Sequence, residues 1–310
     1  MTALCKRPSA TLDAVSNVPS IREYGVPPAG YRLPDETRIG RVRLQVGDLD
    51  RSVSYYRDVL GFRALDRNGH CTLTPRDDDR VIAELQEFRG ARHVPPGGLL
   101  GLYHFAVLLP DRASLGRLVR HLLNAGLQFG SADHTVSESV YLWDPDGLGI
   151  EIYADRPRES WQTQGHELVM GTELLDLRSL VEAADGEWTG VPAGTTMGHI
   201  HLSVGDLEWA REFYHAGLGL DAVVWSLSGA LFLSAGGYHH HLGTNTWAAG
   251  SPPASAEDAK LLEWELVLPD EADVAAATES LKTAGYGATE NGPDQLIADP
   301  WGTLLRLRRA

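Results

Sequence analysis

The sequence predicts an α+β fold built from four copies of one βαβββ unit, and three observations carry that expectation. The stretch IGRVRLQVGDLDRSVSYYRDVLGF at 39–62 recurs without a gap as MGHIHLSVGDLEWAREFYHAGLGL at 197–220. Asp48-Leu49 thereby aligns with Asp206-Leu207, Tyr56 with Tyr214, and Leu60-Gly61 with Leu218-Gly219. A second pair links LYHFAVLLPDRASLGRLVRHLLNAGL at 102–127 with LLEWELVLPDEADVAAATESLKTAGY at 261–286. Both members of that pair run on to a DP-x-G turn, Asp144-Pro145-Asp146-Gly147 and Asp299-Pro300-Trp301-Gly302. Self-similarity of this kind marks a repeated supersecondary unit.

Each unit reads in the same order. A short alternating strand comes first, with Val42, Leu44 and Val46 turned to one side. A polar turn follows, carrying an Asp placed to cap the next helix. That helix has apolar residues at helical spacing, as in Leu115, Leu118, Val119 and Leu122. Ala-Gly or Leu-Gly ends it, with the glycine at the C-terminal cap, and two or three strands close the unit. The expected organisation is a polar, Pro-rich arm over 1–37, modules one and two over 38–153, a connecting segment over 154–196 with one helical stretch (GTELLDLRSLVEAA), and modules three and four over 197–310. Within the last pair, 248–258 (AAGSPPASAED) reads as a loop.

Composition narrows the function classes. Lys and Arg total 27 against 42 Asp and Glu, a net charge of −15. A chain so acidic repels a phosphate backbone and an anionic lipid surface, so neither nucleic acid nor membrane is an expected partner. No apolar run approaches the ~18 residues of a membrane span. Cys5 and Cys71 are the only cysteines, too few for a disulfide framework or a cysteine-based zinc site. With no signal-peptide pattern at the N-terminus, the expected location is the reducing cytoplasm.

The modules, with their DL-x(5–6)-FY-x(3)-LGF and DP-x-G-x(3)-E signatures, resemble the vicinal oxygen chelate superfamily. It includes glyoxalase I, fosfomycin and bleomycin resistance proteins, and type I extradiol dioxygenases. The resemblance spans roughly residues 39–310. The strings GLYHFAVLLPDR, DHTVSESVYLWDPDGLGIEIYADRPR, MGHIHLSVGDL and AGGYHHHLGTNTW are similar to its catechol-2,3-dioxygenase-like group. The resemblance implies the vicinal oxygen chelate fold, in which modules pair into two half-open, strongly curved mixed β-sheet barrels with metal ligands on the first and last strands of each module. The slots legible here are Arg41 in module one, His104 and Glu151 in module two, His199 in module three, and Glu263 and Arg306 in module four. Guanidinium does not ligate a metal, so His104, Glu151 and His199 are the implied ligands. A lone strand histidine is ordinarily a packing residue, but all three occupy family slots, and an unpaired Glu151 on the apolar strand GIEIY is costly. Glu263, next to Glu265, reads as a solvated strand edge or an arginine's partner.

Two histidines and one carboxylate with open positions form the pattern of non-haem Fe(II) sites. Mn(II) is the alternative metal, and O2 the implied co-substrate. Such a site requires modules two and three to face each other, leaving one and four to form a second barrel. The ordinary pairing of one with two and three with four leaves the site incomplete.

Around the metal, the resemblance implies further roles. Tyr141, ten residues before Glu151, stands where extradiol enzymes carry a tyrosine that bonds the catecholate; the alternative is a half-buried strand tyrosine. His134 is a candidate at the pocket mouth or a surface turn. In GGYHHHLGTNTW, strand alternation puts His239, His241, Gly243, Asn245 and Trp247 on one face and His240 on the other. His241 is the first choice for acid–base histidine, with His240 second because a glycine bulge shifts register. Asn245 and Trp247 are candidates for shaping the substrate pocket, with core packing the alternative for Trp247, and His201 is a candidate substrate-binding neighbour of the metal or an alternative ligand. The other histidines receive no role. The implied activity is extradiol ring cleavage of a catechol-type or hydroquinone-type aromatic. Two alternatives stand beside it: a metal-dependent glyoxalase-like isomerase or transferase, and a non-catalytic drug-binding protein. The partner is in each case a small molecule, and exposed strand edges leave a homo-oligomer open.

Overall fold

The computed structural model describes residues 24–67 and 69–310, so Cys5 and most of the expected arm lie outside the described residues. Module one comprises β1 (Arg38–Val46), α1 (Leu49–Ser54) continuing as a π-helical turn (Tyr55–Val59), β2 (Arg63–Arg67), β3 (His70–Thr74) and β4 (Ala83–Glu87). Module two comprises β5 (Gly101–Leu108), α2 (Arg112–Asn124), β6 (Gly130–Asp133), β7 (Ser137–Trp143) and β8 (Gly149–Asp155). The connection holds a small hairpin, β9 (Thr163–Gln164) and β10 (Glu167–Leu168), and α3 (Leu177–Glu182). Module three follows with β11 (Thr196–Ser203), α4 (Leu207–Ala210) running into a π-helical stretch (Arg211–Gly217), β12 (Asp221–Val224), β13 (Ala230–Ser234) and β14 (Leu242–Asn245). Module four closes the chain with β15 (Lys260–Leu268), α5 (Glu271–Thr283), β16 (Ala288–Asn291), β17 (Asp294–Ala298) and β18 (Leu304–Arg309).

The local signals act as their chemistry dictates. Asp48, Asp111, Asp206 and Asp270 each stand at a helix N-cap, where the carboxylate accepts the backbone N–H three residues on. Gly61 and Gly219 end the helices of modules one and three at φ +84° and +99°, which side-chain-bearing residues rarely adopt. Leu115, Leu118, Val119 and Leu122 are the buried face of α2.

The strands form two eight-stranded mixed sheets. One runs β16-β17-β18-β15-β1-β4-β3-β2, joining modules four and one; the other runs β12-β13-β14-β11-β5-β8-β7-β6, joining modules three and two. The seams are antiparallel pairs, β1 with β15 and β11 with β5. Modules one and two therefore sit in different sheets, as do modules three and four. Two repeated tyrosines fasten the sheets together: Tyr56 of module one donates to Asp144 of module two at 3.2 Å, and Tyr214 of module three to Asp299 of module four at 2.8 Å. All four side chains are buried. Conserving the FY and DP-x-G strings between repeats thus serves a clamp rather than the site.

In the sheet of modules one and four, ion pairs occupy the ligand slots. Arg306 reaches Glu263 through both Nε (3.0 Å) and a terminal nitrogen (2.9 Å), and Arg41 lies 3.0 Å from Glu265 and 3.1 Å from Glu84. Glu263 is buried and paired, so of the two readings of Glu263 the solvated edge is replaced by the arginine partner. Residues 24–37 lie extended along module three, with Val26 bridging Ala222 and Arg32 forming a two-pronged pair with Asp221.

Candidate metal centre

Glu151 and Tyr153 alternate along β8, while β5 and β11 bring His104 and His199 to the same cavity. One oxygen of Glu151, Oε2, is 3.0 Å from His104 Nε2 and 3.1 Å from His199 Nε2, and all three residues are buried. Donor atoms of the three lie within 4.8 Å of one another. His104 Nε2 is close to the carboxylate but out of hydrogen-bond alignment, and is otherwise unpartnered. A buried imidazole nitrogen in that state forfeits a hydrogen bond; a cation among the three donors satisfies it.

Charge states agree with that reading. Burial raises the Glu151 carboxyl, but His199 and His104 more than offset it and hold it well below the usual range. Burial pulls His199 down to about 4 against the opposing pull of Glu151. Glu151 is therefore an anion, and burial favours the neutral form of His199. Metal binding requires those same protonation states. Gly198 makes the packing possible: a Cβ there meets the Tyr153 hydroxyl at 1.8 Å. The Tyr153 ring in turn packs 5.0 Å from that of His199.

The cavity has a volume of about 490 Å³. Its walls are Tyr103, Met170, Phe232 and Trp247, with Tyr141, His134, His201 and His240 among its polar groups. His134 Nδ1 is 2.7 Å from the Gly171 carbonyl, which fixes the proton there, so in the neutral ring Nε2 accepts from the Tyr141 hydroxyl at 2.6 Å. Burial, then the Glu151 charge, pushes the Tyr141 phenol well above its ordinary value. His201 packs 4.9 Å from the His104 ring and leaves Nε2 unpartnered; burial, then His104, holds its pKa well below the ordinary value.

The histidine run departs from strand alternation. Gly236 and Gly237, at φ +57° and +61°, turn the chain, and 239–241 precede β14 as irregular backbone. His240 consequently faces the cavity, its ring 4.0 Å from that of His199. His241, the first choice from alternation, does not line the cavity: its Nδ1 accepts the Ala235 N–H at 3.2 Å. Burial, then His239, takes His241 down to about 3. Asn245 is likewise outside the cavity lining; it is buried, and its Oδ1 accepts the Trp247 N–H at 3.1 Å. Trp247 does line it and is 59% exposed, which excludes a core role.

Sequence reasoning missed two parts of the site. One is a chain of bonds behind His240. Asp155 Oδ1 lies 2.8 Å from His239 Nε2, and His239 Nδ1 lies 2.8 Å from His240 Nδ1. With Asp155 holding the His239 proton on Nε2, His239 Nδ1 accepts from His240 Nδ1–H, and His240 Nε2 is left as an acceptor. The other is the connecting segment, where Met170, Gly171 and Thr172 wall the cavity. No local motif marks them; the antiparallel bridge of Glu173 to Asp133 and the bonds from His134 to Gly171 and from Thr135 to Val169 bring them in.

The profile of the glyoxalase/bleomycin resistance protein/dioxygenase superfamily matches residues 38–152 and 196–307. The chain belongs to that superfamily. A catechol-2,3-dioxygenase of Bacillus subtilis (strain 168) is 41% identical over 273 residues, 86% of this chain and 95% of the relative. Among solved structures, a Bacillus subtilis protein assigned as a dioxygenase superposes with a TM-score of 0.60 at 14% identity, covering 90% of this chain and 86% of that one. Glyoxalase I of Zea mays superposes at 0.51 with 18% identity, covering 87% and 92%. At such identities these two likenesses show the fold.

Sheet register completes the superfamily's ligand slots. Each last-strand slot pairs with the residue two beyond the first-strand slot: Glu151 with Ala106, Arg306 with Glu265, and Glu84 with Arg43. In module three the corresponding pair is His201 with Gly243. The fourth slot is therefore a glycine, not one of the neighbouring histidines. A Cβ at Gly243 meets the His201 ring at 2.9 Å, so the imidazole fills the space a fourth ligand needs.

Proposed function

We propose that this superfamily member is an Fe(II)-dependent extradiol dioxygenase that opens a catechol-type ring beside its diol with O2. The observation that carries the reading is the donor set: two buried imidazoles and one carboxylate, with glycine where a fourth ligand would stand. His104, His199 and Glu151 would hold the ion. When bound, Fe(II) would supply Lewis-acid and one-electron redox chemistry toward a diol and O2. The four-ligand demand of a glyoxalase-like isomerase finds no side chain at Gly243. The 41% identity to a catechol-2,3-dioxygenase supports the same choice.

The chain's own residues supply binding and proton handling. Tyr103, Phe232, Met170 and Trp247 sandwich a flat ring and exclude water from it. Tyr141 gives its proton to His134 Nε2, which leaves its oxygen to accept from a substrate hydroxyl and orient the diol. His240 Nε2, a neutral acceptor held in place by His239 and Asp155, takes the proton released on diol binding and returns it during ring opening. Burial, then His199, keeps the His240 pKa well below its ordinary value, so its base form is the one available at neutral pH. His201 Nε2 offers a further polar contact between the ring pocket and the metal ligands.

The test is oxygen uptake with catechol after anaerobic Fe(II) loading, read beside a His104→Ala variant. Uptake with a yellow ring-opened product, absent in the variant, is the expected result. Stoichiometric metal without uptake over a panel of catechols and hydroquinones would replace this reading with the isomerase class.

A further inference from the structure

A second cleft, of about 350 Å³, lies outside the metal cavity where the two sheets meet. Its cations are all arginines: Arg38 and Arg41 on β1, Arg80 ahead of β4, and Arg308 and Arg309 at the end of β18. Glu265 is the one acidic side chain lining it. Arg41 spends its charge on Glu265 and Glu84, and Arg308 approaches Glu265 at 3.5 Å. Arg38, Arg80 and Arg309 are exposed; Arg38 and Arg309 form no ion pair among the described residues, while Arg80 lies near Asp78, whose carboxylate accepts the Arg80 backbone N–H at 2.9 Å. Such a concentration runs against the composition, because the whole chain carries a net charge of −15. Like charges gathered round one concavity repel one another, and a bound anion relieves the repulsion.

The residue type matters as much as the charge. Guanidinium presents a planar fork of donors that matches two oxygens of a carboxylate or phosphate, and it stays charged at every accessible pH. The cleft belongs to the sheet whose ligand slots hold ion pairs in place of metal ligands. Ile39, Gly40, Val81, Val267 and Ala310 also line it, and the other sheet contributes Thr196 and Met197 at the start of β11, the strand that carries His199. We propose that this cleft binds a small multivalent oxyanion, a phosphate ester or a dicarboxylate, through Arg38, Arg80 and Arg309. The proposal does not depend on the dioxygenase reading.

The test is calorimetric titration of inorganic pyrophosphate, and separately succinate, into the full chain at fixed moderate ionic strength. One saturable site is expected, with a matching rise in Tm. The double variant Arg38→Ala/Arg80→Ala, at exposed positions, should bind about tenfold more weakly or worse, with an unchanged circular dichroism spectrum. Two controls locate the site: His104→Ala and Arg120→Ala, the latter on α2, should each bind as the wild type does. Saturation by pyrophosphate alone identifies phosphate chemistry, by succinate alone carboxylate chemistry, and by both the shared oxyanion chemistry. No saturable heat with either anion, or binding unmoved in the double variant, would overturn the proposal and leave a solvated arginine face. Loss of binding in His104→Ala would overturn it by assigning the heat to the metal centre.

Discussion

At the residue scale, His240 and His241 are adjacent in sequence and opposite in consequence. His240 faces the cavity and is backed by His239 and Asp155; His241 is held by the Ala235 N–H on the other side. His240→Asn should lower kcat by about 10²–10⁴, the usual range for a lost general acid–base group, while His241→Asn should stay within a few-fold of wild type. His241 does act on stability. Its folded pKa is lowered to about 3 from the ordinary 6.5, so between those values the unfolded chain binds more protons and stability falls as pH falls. Denaturant melts of the metal-free chain at stepped pH should show this acid limb flattened in His241→Asn; an unchanged slope would remove His241 from the account. Tyr141→Phe should reduce kcat/KM for catechol about 3- to 10-fold, the cost of a lost hydrogen bond between neutral groups. An equal loss with a substrate lacking one hydroxyl would contradict its orienting role.

At the element scale, much was legible and two features were not. The strand, Asp cap, helix and glycine stop of each module follow from local chemistry, and the candidate ligands on β5, β8 and β11 stand at the slots that the family resemblance implies. The orientation of the histidine run does not, because alternation holds only for extended backbone and Gly236-Gly237 break it. The empty fourth slot at Gly243 also escaped the sequence, since it depends on register between β11 and β14. The repeated tyrosines give an element-level test. Tyr56→Phe removes a buried donor from Asp144 while keeping the ring, and should cost about 1–3 kcal/mol in chemical denaturation. Loss of metal with full stability would instead move Tyr56 into the site.

At the scale of the whole molecule, the pairing of modules two with three and one with four was legible from ligand arithmetic: Arg41 and Arg306 cannot ligate, and the remaining donors lie in the middle modules. The part played by Met170–Thr172 was not legible, because only tertiary contacts bring that connection over the cavity. Since each sheet takes strands from both halves, neither half contains all three of His104, Glu151 and His199. Chains cut within the connection should bind Fe(II) only when both halves are expressed together; stoichiometric binding by residues 1–153 alone would contradict the shared site. No helix among the described residues is long and apolar enough to cross a membrane. The central claim, that an open three-ligand site performs extradiol cleavage, is tested most directly by mass spectrometry of the product formed from catechol under isotopically heavy O2. The account expects one ring-opened molecule carrying both heavy atoms, with cleavage beside the diol. A product with an intact ring, with cleavage between the two hydroxyl-bearing carbons, or with no heavy oxygen would contradict it.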